Sequence, residues 1–375
     1  MTQQRGANAK IVIGFEDTFG TEATDGFVLP INSISLRPAQ NINTAATLRG
    51  GRNPIQPFRG NKDVNGSIVV PVDTRAMWYW LKAMFGDPVT AGGAAAAWQA
   101  THAYDLGDFV IPTVANGRYY EATADTGSSA GTEPTWPTTV GATVVDGGIT
   151  WTCRAFIHEF KIPEIQPSLT IEEQFEDLDT EAYIRYYGCK ISSFAIEVGG
   201  DGELTATLNV VGADFEVDTS PFDATPTEIS IARVNNFQAA LAEGGSTLSN
   251  GTAQSFSIDM GLDTDTFVIG GGGVRGDIVE GVVGVGGSLT TLFEDVSLVQ
   301  KAIDGTESSL KLTITGSAVS VFELEAQEIE YAVNGPEVPG PQGIRVTLDY
   351  QAFYDDGTEA SAIVARLTNI DQHAA

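Results

Sequence analysis

Apolar and polar side chains alternate one by one in short runs, and glycine, asparagine or aspartate ends each run. A period of two sends every second side chain to one face of a strand, so the chain reads as antiparallel β-structure with few helices. Two hairpins are legible. In the first, Phe194, Ile196 and Val198 alternate with Ala195 and Glu197, Gly199-Gly200-Asp201-Gly202 turns the chain, and Leu204, Ala206, Leu208 and Val210 return. In the second, Phe322 and Leu324 alternate with Glu323 and Glu325; a Gly/Pro-rich loop from Asn334 to Gly343 precedes Ile344, Val346, Leu348 and Tyr350. Two short helices interrupt the pattern. One starts at an Asp73 or Thr74 cap, carries Met77, Leu81, Met84 and Phe85 on its apolar stripe, and stops at Gly86 with Asp87-Pro88. The other runs from about Glu294 to Ile303, with Val296, Val299 and Ile303 inward and Gly305 past its end.

These elements follow an order that repeats. Ile34-Ser35-Leu36 corresponds to Phe256-Ser257-Ile258, and Val64-Asn65-Gly66 with the strand Ser67 to Val72 corresponds to Val279-Glu280-Gly281 with the strand Val282 to Val285. Each is followed by its helix. Ser168-Leu169-Thr170-Ile171 then matches Ser309-Leu310-Lys311-Leu312, and each copy closes on one of the two hairpins. An internal duplication is expected: two related β-sandwich or barrel units, each with a short helix, the first over 1–90 and 156–222 and the second over 223–375. A chain of 375 residues exceeds what one core usually fills, which agrees with this division. Residues 91–155 interrupt the first copy with the low-complexity Ala91-Gly92-Gly93-Ala94 to Ala97 and an aromatic set of Trp98, Tyr104, Tyr119, Tyr120, Trp136 and Trp151. This block reads as a small β domain looped out of its host.

Charge narrows the function. Forty-nine acids against 20 Lys and Arg leave a net charge of -29, which repels nucleic acid and acidic membranes. No apolar run approaches the roughly 20 residues of a membrane span, and Met1 to Lys10 lacks the basic head and apolar core of a signal peptide, so a cytoplasmically made protein is expected. Cys153 and Cys189 are too few for a disulfide framework; buried thiols are expected, with a bond within or between subunits as the alternative. His102, His158 and His373 form no zinc pattern, and Asp263-Thr264-Asp265 lacks the glycine and distal glutamate of a calcium loop. Gly270 to Gly273 lacks the Lys-Ser/Thr of a phosphate loop, and no nucleophile elbow occurs. No enzyme, cofactor or metal is expected.

The opening Gly14-Phe15-Glu16-Asp17-Thr18-Phe19-Gly20-Thr21, then Leu29-Pro30-Ile31, then Val64-x-Gly66-Ser67 before a Trp-rich helix, resembles tail tube proteins of long, non-contractile, siphovirus-type phage tails. The likeness covers residues 10 to 90 and 156 to 370 and includes Tyr187-Gly188-Cys189-Lys190. It implies a virion protein assembled in the host cytoplasm, rings stacked into a pipe, contact with other tail proteins, and DNA passing through the lumen without specific binding. With two copies per chain, a trimeric ring of pseudo-sixfold symmetry is favoured, a hexamer being the alternative. The insert resembles a chitin-binding-type carbohydrate module through Trp98, Tyr104, Gly107-Asp108-x-Val110, Asn116-Gly117-Arg118-Tyr119-Tyr120-x-Ala122, Gly131-Thr132-Glu133-Pro134-Thr135-Trp136-Pro137 and Asp146-Gly147-Gly148-Ile149-Thr150-Trp151-x-Cys153.

Within that frame the polar hairpin faces become lumen candidates: Ser193, Glu197, Thr205, Thr207 and Asn209 in one copy, and Glu323, Glu325, Thr347, Asp349 and Gln351 in the other, with Arg345 interrupting. Such a wall offers DNA phosphates nothing to grip; an outer solvated surface is the alternative. From Gly26 to Lys62 there is no acid but five bases, Arg37, Arg49, Arg52, Arg59 and Lys62, whereas Glu172, Glu173, Glu176, Asp177, Asp179 and Glu181 form an acidic run. Contact between the basic loop of one ring and acidic surface of the next is expected, two unrelated solvated loops being the alternative. Trp136 and Tyr119 or Tyr120 are the candidates for weak stacking on a host glycan, unless they form the insert's own core. The rival reading is a surface or secreted glycan-binding protein whose β domains are scaffold.

Overall fold

Burial alternates along the long strands as a period of two requires: Phe194, Ile196 and Val198 are buried while Ala195 and Glu197 are exposed. The computed structural model describes residues 3–48, 50–357 and 359–373, and its architecture is mainly β. The first half of the body contains β1 (Lys10–Phe15), β2 (Arg37–Asn43), β3 (Phe58–Pro71), helix α1 (Ala76–Phe85), β4 (Phe156–Lys161), β5 (Leu169–Phe175), β6 (Ala182–Val198), β7 (Thr205–Gly212) and β8 (Asp214–Asp218). The second contains β9 (Ala239–Glu243), β10 (Gly251–Asp259), β11 (Gly284–Leu292), helix α2 (Ser297–Asp304), β12 (Ser308–Ser317), β13 (Ser320–Tyr331), β14 (Arg345–Phe353) and β15 (Val364–Asn369).

In the first half β1 pairs with β5, β2 with β3, β3 with β7, β7 with β6, and β6 with both β5 and β8. In the second half β9 pairs with β12, β10 with β11, β11 with β14, β14 with β13, and β13 with both β12 and β15. All are antiparallel. Details of the backbone recur as well: β5–β6 slips register between Leu169 and Ile171, and β12–β13 between Ser308 and Leu310. The amide of Ser67 donates to Ser35 Oγ at 2.9 Å, and that of Ser288 donates to Ser255 Oγ at 3.0 Å. The preceding glycines are required there, because a Cβ on Gly66 would lie 2.5 Å from the Ser35 carbonyl oxygen and one on Gly287 2.0 Å from that of Ser255.

These contacts match Ser35 with Ser255 and Gly66 with Gly287. The sequence correspondences of Ser35 with Ser257 and of Gly66 with Gly281 are therefore out of step with the pairing. Val279 lies before β11, in an isolated bridge to Asp263.

The halves join in two ladders: β4 pairs with β15, and β6 pairs with β10, Phe194 standing opposite Ile258 and Ile196 opposite Phe256. The resulting strand order is β2–β3–β7–β6–β10–β11–β14–β13. Beneath it, one core holds the inward residues of both halves together with α1. Asp73 Oδ1 caps α1 by accepting from the amides of Arg75 and Ala76, and Gly86, with φ 72°, ends it. The helix is buried nearly all round, beyond the stripe expected of it.

Two expectations change. α2 begins at Ser297, whose amide bonds to Asp295, so Val296 lies outside the helix. Leu298, Val299 and Ala302 face inward while Val296 and Ile303 are exposed. The second hairpin is also rearranged: β14 pairs with β11 over Arg345 to Ala352 and meets β13 only over Glu328 to Tyr331, and Phe322 to Glu325 sit between β12 and β15.

The insert forms a separate five-stranded sheet over Ala96 to Arg154, with Trp98, Tyr104, Val110, Tyr120, Ala122, Ile149, Trp151 and Cys153 as its core. Cys153 and Cys189 are both buried and free.

Gly66→Ala and Gly287→Ala should each lower unfolding free energy in urea by about 1–3 kcal/mol, the cost of forcing a methyl group into a closed contact. Gly51→Ala, with nothing within 4 Å of its added carbon, should leave the midpoint unchanged.

Candidate assembly surface

The outward side chains of the central strands form one polar face six strands wide. Ser67, Asn209, Ser193 and Asp259 stand in one row, and Val69, Thr207, Ala195, Ser257, Gly286 and Gln351 in the next. Glu197, Ser255, Ser288 and Asp349 follow, then Thr290 and Thr347. Many of these groups satisfy one another: Asn209 Nδ2 donates to Ser193 Oγ at 2.7 Å, and the hydroxyls of Thr290 and Thr347 meet at 2.9 Å. Hydroxyls bonded to their neighbours, a few carboxylates and no lysine make up these rows.

Seven of the residues singled out in the sequence, Ser193, Glu197, Thr207, Asn209, Thr347, Asp349 and Gln351, lie in these rows, and Thr205 extends them on β7. Glu323 and Glu325 do not. They lie on the β12–β13–β15 part, where Glu323 meets Lys311 at 3.1 Å and Glu325 meets Arg366 at 2.6 Å. Lys311 stands directly across from Glu325, so a lysine lies among the polar side chains of that part.

The basic segment is a projecting arm. β2 and β3 continue beyond the sheet as a two-stranded ribbon in which Ile42 and Phe58 are exposed. Arg52 and Arg59 are exposed on it, Arg59 Nη1 donating to Gln40, whereas Arg37 is exposed at its base, opposite Asn65 within the sheet. Lys62 is turned back to Asp214 at 2.6 Å, and Arg49 lies outside the described residues.

The acidic run divides. Glu172 is fully buried against Arg185 Nε at 2.8 Å, so it has no surface for another subunit, contrary to expectation. Glu173 is half-buried beneath the Tyr186 hydroxyl; burial raises its carboxyl above the usual range, and that hydrogen bond opposes the shift. Glu176 is exposed and pairs with Lys10 at 3.0 Å.

The polar face and the exposed ribbon are the surfaces that the central sheet offers to other chains. Over residues 6–352 the sequence matches the family described as phage tail tube protein. The chain belongs to that family. No curated protein matches it. As a tail tube protein it is a structural component of the virion tail, and membership implies assembly with its own copies and with other tail proteins. No helix among the described residues is long and apolar enough to cross a membrane.

The insert of this tail tube protein presents fewer aromatic faces than its sequence suggests. Tyr120 is buried in the insert core, its hydroxyl accepting from Asn116 and donating to the Pro137 carbonyl. Tyr119 is buried on the opposite side against Phe156 of β4. Neither can stack on a sugar. Trp136 is half-buried, with one side on Tyr120 and its Nε1 donating to Glu133 at 2.8 Å.

A cluster that sequence reasoning left scattered forms at the tail protein's C-terminal end. Arg75 grips Asp371 through Nε and Nη2 at 2.6 and 2.7 Å, His373 stacks on Trp78 with centroids 3.9 Å apart, and His158 Nε2 lies 3.1 Å from Asn369 Oδ1. Separation of nearly 300 positions between Arg75 and Asp371 hid it. Burial lowers both imidazoles, and the neighbouring His158 helps to take His373 down to about 4.

Two outcomes follow. Arg185→Ala should cost about 3 kcal/mol in chemical denaturation, because Glu172 would be left charged and buried. Depressed histidines stabilise the fold fully above an unfolded value of ~6.5, and that contribution is lost as pH falls toward 4. His373→Phe should therefore shrink the drop in melting temperature between pH 7 and pH 4.5 by on the order of 2 °C.

Proposed function

We propose that this tail tube protein forms trimeric rings that stack into the conduit of a long, non-contractile, siphovirus-type tail, assembled in the host cytoplasm. The observation that supports this reading is the recurrence of the same strand pairings in both halves of the chain, as two tube units from an internal duplication would have. Three chains supply six units, and pseudo-sixfold closure then needs only three polypeptides. The hexamer remains the competing stoichiometry.

In this reading the six-strand polar face lines the lumen, with Ser193, Glu197, Thr205, Thr207 and Asn209 continuing into Thr347, Asp349 and Gln351. Its carboxylates repel the DNA backbone and its mutually bonded hydroxyls offer no lasting contact, so the genome passes without being held. Arg52 and Arg59 on the projecting arm reach the neighbouring ring, where Glu176 and the exposed end of the acidic run receive them. The insert decorates the exterior, and Trp136 is its remaining candidate for weak glycan contact.

Negative-stain microscopy of concentrated protein should show rings or tubes of uniform width, and light scattering of single rings should give three chains. Six chains would remove the trimer, and material that stays monomeric at every concentration would remove the assembly. Arg52→Glu with Arg59→Glu should shorten tubes severalfold while leaving rings intact; unchanged tube length would rule out the arm as the stacking contact.

A further inference from the structure

Within one chain, the β6–β10 junction already joins the end of one unit to the start of the next. There Phe194, Ile196 and Val198 stand opposite Ile258, Phe256 and Gln254, Glu197 stands opposite Ser255, and the Met260 amide closes the ladder on the Ser192 carbonyl at 2.9 Å. The recurring pairings carry this arrangement to the two ends of the sheet. The register slip that sets Tyr186 opposite Ile171 sets Ala326 opposite Leu310, so β6 maps onto β13 and the segment following it. The serine contacts map β10 onto Ser33–Ile34 and β2.

Ala332 to Val338 therefore takes the place of Ser192 to Val198, and Ile34 to Gln40 the place of Gln254 to Met260. Glu337 and Val338 fall where Glu197 and Val198 stand, and Ser35 falls where Ser255 stands, with the residue types preserved. Among the described residues, neither the outer margin of β2 nor Ala332 to Val338 has a strand partner. Val333 and Val338 are 71% and 73% exposed. The segment is nonetheless already laid along β14, since the Ala332 amide bonds to the Asp349 carbonyl at 2.8 Å and Asn334 Nδ2 to that of Thr347 at 2.9 Å.

We infer that Ile34 to Gln40 of one copy pairs antiparallel with Ala332 to Val338 of a second copy, with Ser35 opposite Glu337 and Arg37 opposite Gly335. The inference rests on the ring reading and specifies which margins meet and in what register. It also supplies a charge pair absent from the internal junction, because Arg37 lies diagonally across from Glu337 and long side chains span that separation. Pro38 and Pro336 each remove one amide donor. That weakens the bare margins as templates for indiscriminate pairing while leaving carbonyls and apolar side chains for the matched partner.

The test uses full-length chains carrying Ser35→Cys or Glu337→Cys, mixed in equal amounts, assembled and oxidised. Cys153 and Cys189 are buried and do not compete. Covalent pairs of chains should form in the mixture and in neither variant alone, and the double variant should give closed covalent trimers. Arg37→Cys with Gly335→Cys, at two exposed positions without side-chain bonds, repeats the test should Ser35→Cys perturb its contact with Ser67. Ser33→Cys with Glu337→Cys, two residues out of register, should stay uncrosslinked. Rings by microscopy with no crosslink from either matched pair, or crosslinks from the displaced pair alone, would overturn this junction and leave the ring reading standing. Absence of both rings and crosslinks would overturn both.

Discussion

The backbone ladder between β6 and β10 is the contact on which the subunit's architecture depends. Without it the named strands of the two halves would meet only between β4 and β15; with it, one sheet runs from β2 through β6 and β10 to β14. An open strand margin presents unpaired amides and carbonyls and is ordinarily an aggregation hazard. Here Phe194, Ile196, Phe256 and Ile258 are buried beneath the ladder, so hydrophobic burial reinforces the backbone bonds that place the remaining margins at opposite ends.

Charge is distributed with the same economy. The chain carries a large acid excess, yet part of it is consumed in networks beside the central sheet instead of on its polar face. Glu172 on β5 stands opposite Arg185 on β6, and at the matching place in the second half Lys311 on β12 stands opposite Glu325 on β13. The two pairs occupy equivalent positions with their signs exchanged. Arg185 gathers Glu22 and Glu216 besides Glu172, while Arg366 gathers Glu159 and Glu359 besides Glu325. Ion pairing at this site is thus a property of the location, and which strand bears the cation is free to vary.

The elements that depend on local pattern were legible in the sequence. Alternation located β6 and β7, and Asp73 with Gly86 bounded α1, because caps and period-two faces are written in neighbouring residues. What failed depended on distant partners. β13 reads as one arm of a hairpin, but its first half belongs to β12 and β15, which no local signal encodes. Glu172 was expected at the surface by its charge, whereas its burial is set by Arg185, thirteen residues on and across the sheet. Tyr119 and Tyr120 show the same limit: consecutive strand residues point to opposite faces, and both are buried because the insert's core covers one face and Phe156 the other.

The insert also bears on symmetry. It leaves the body after Val89–Ala91 and returns at β4, and these two segments pair with each other, Thr90 opposite His158. A domain entering and leaving through adjacent paired strands adds mass without prying the host sheet apart. β4 in turn pairs with β15, and Asn369 to His373 pack onto α1, so the end of the second half is bound to the strand from which the insert emerges. The second half has no counterpart to this block after α2, where Gly305 leads within a few residues into β12. The two halves therefore repeat in their pairings and differ in their decoration. In the proposed ring, the paired strands would approach sixfold order while the insert would keep only the symmetry of whole chains.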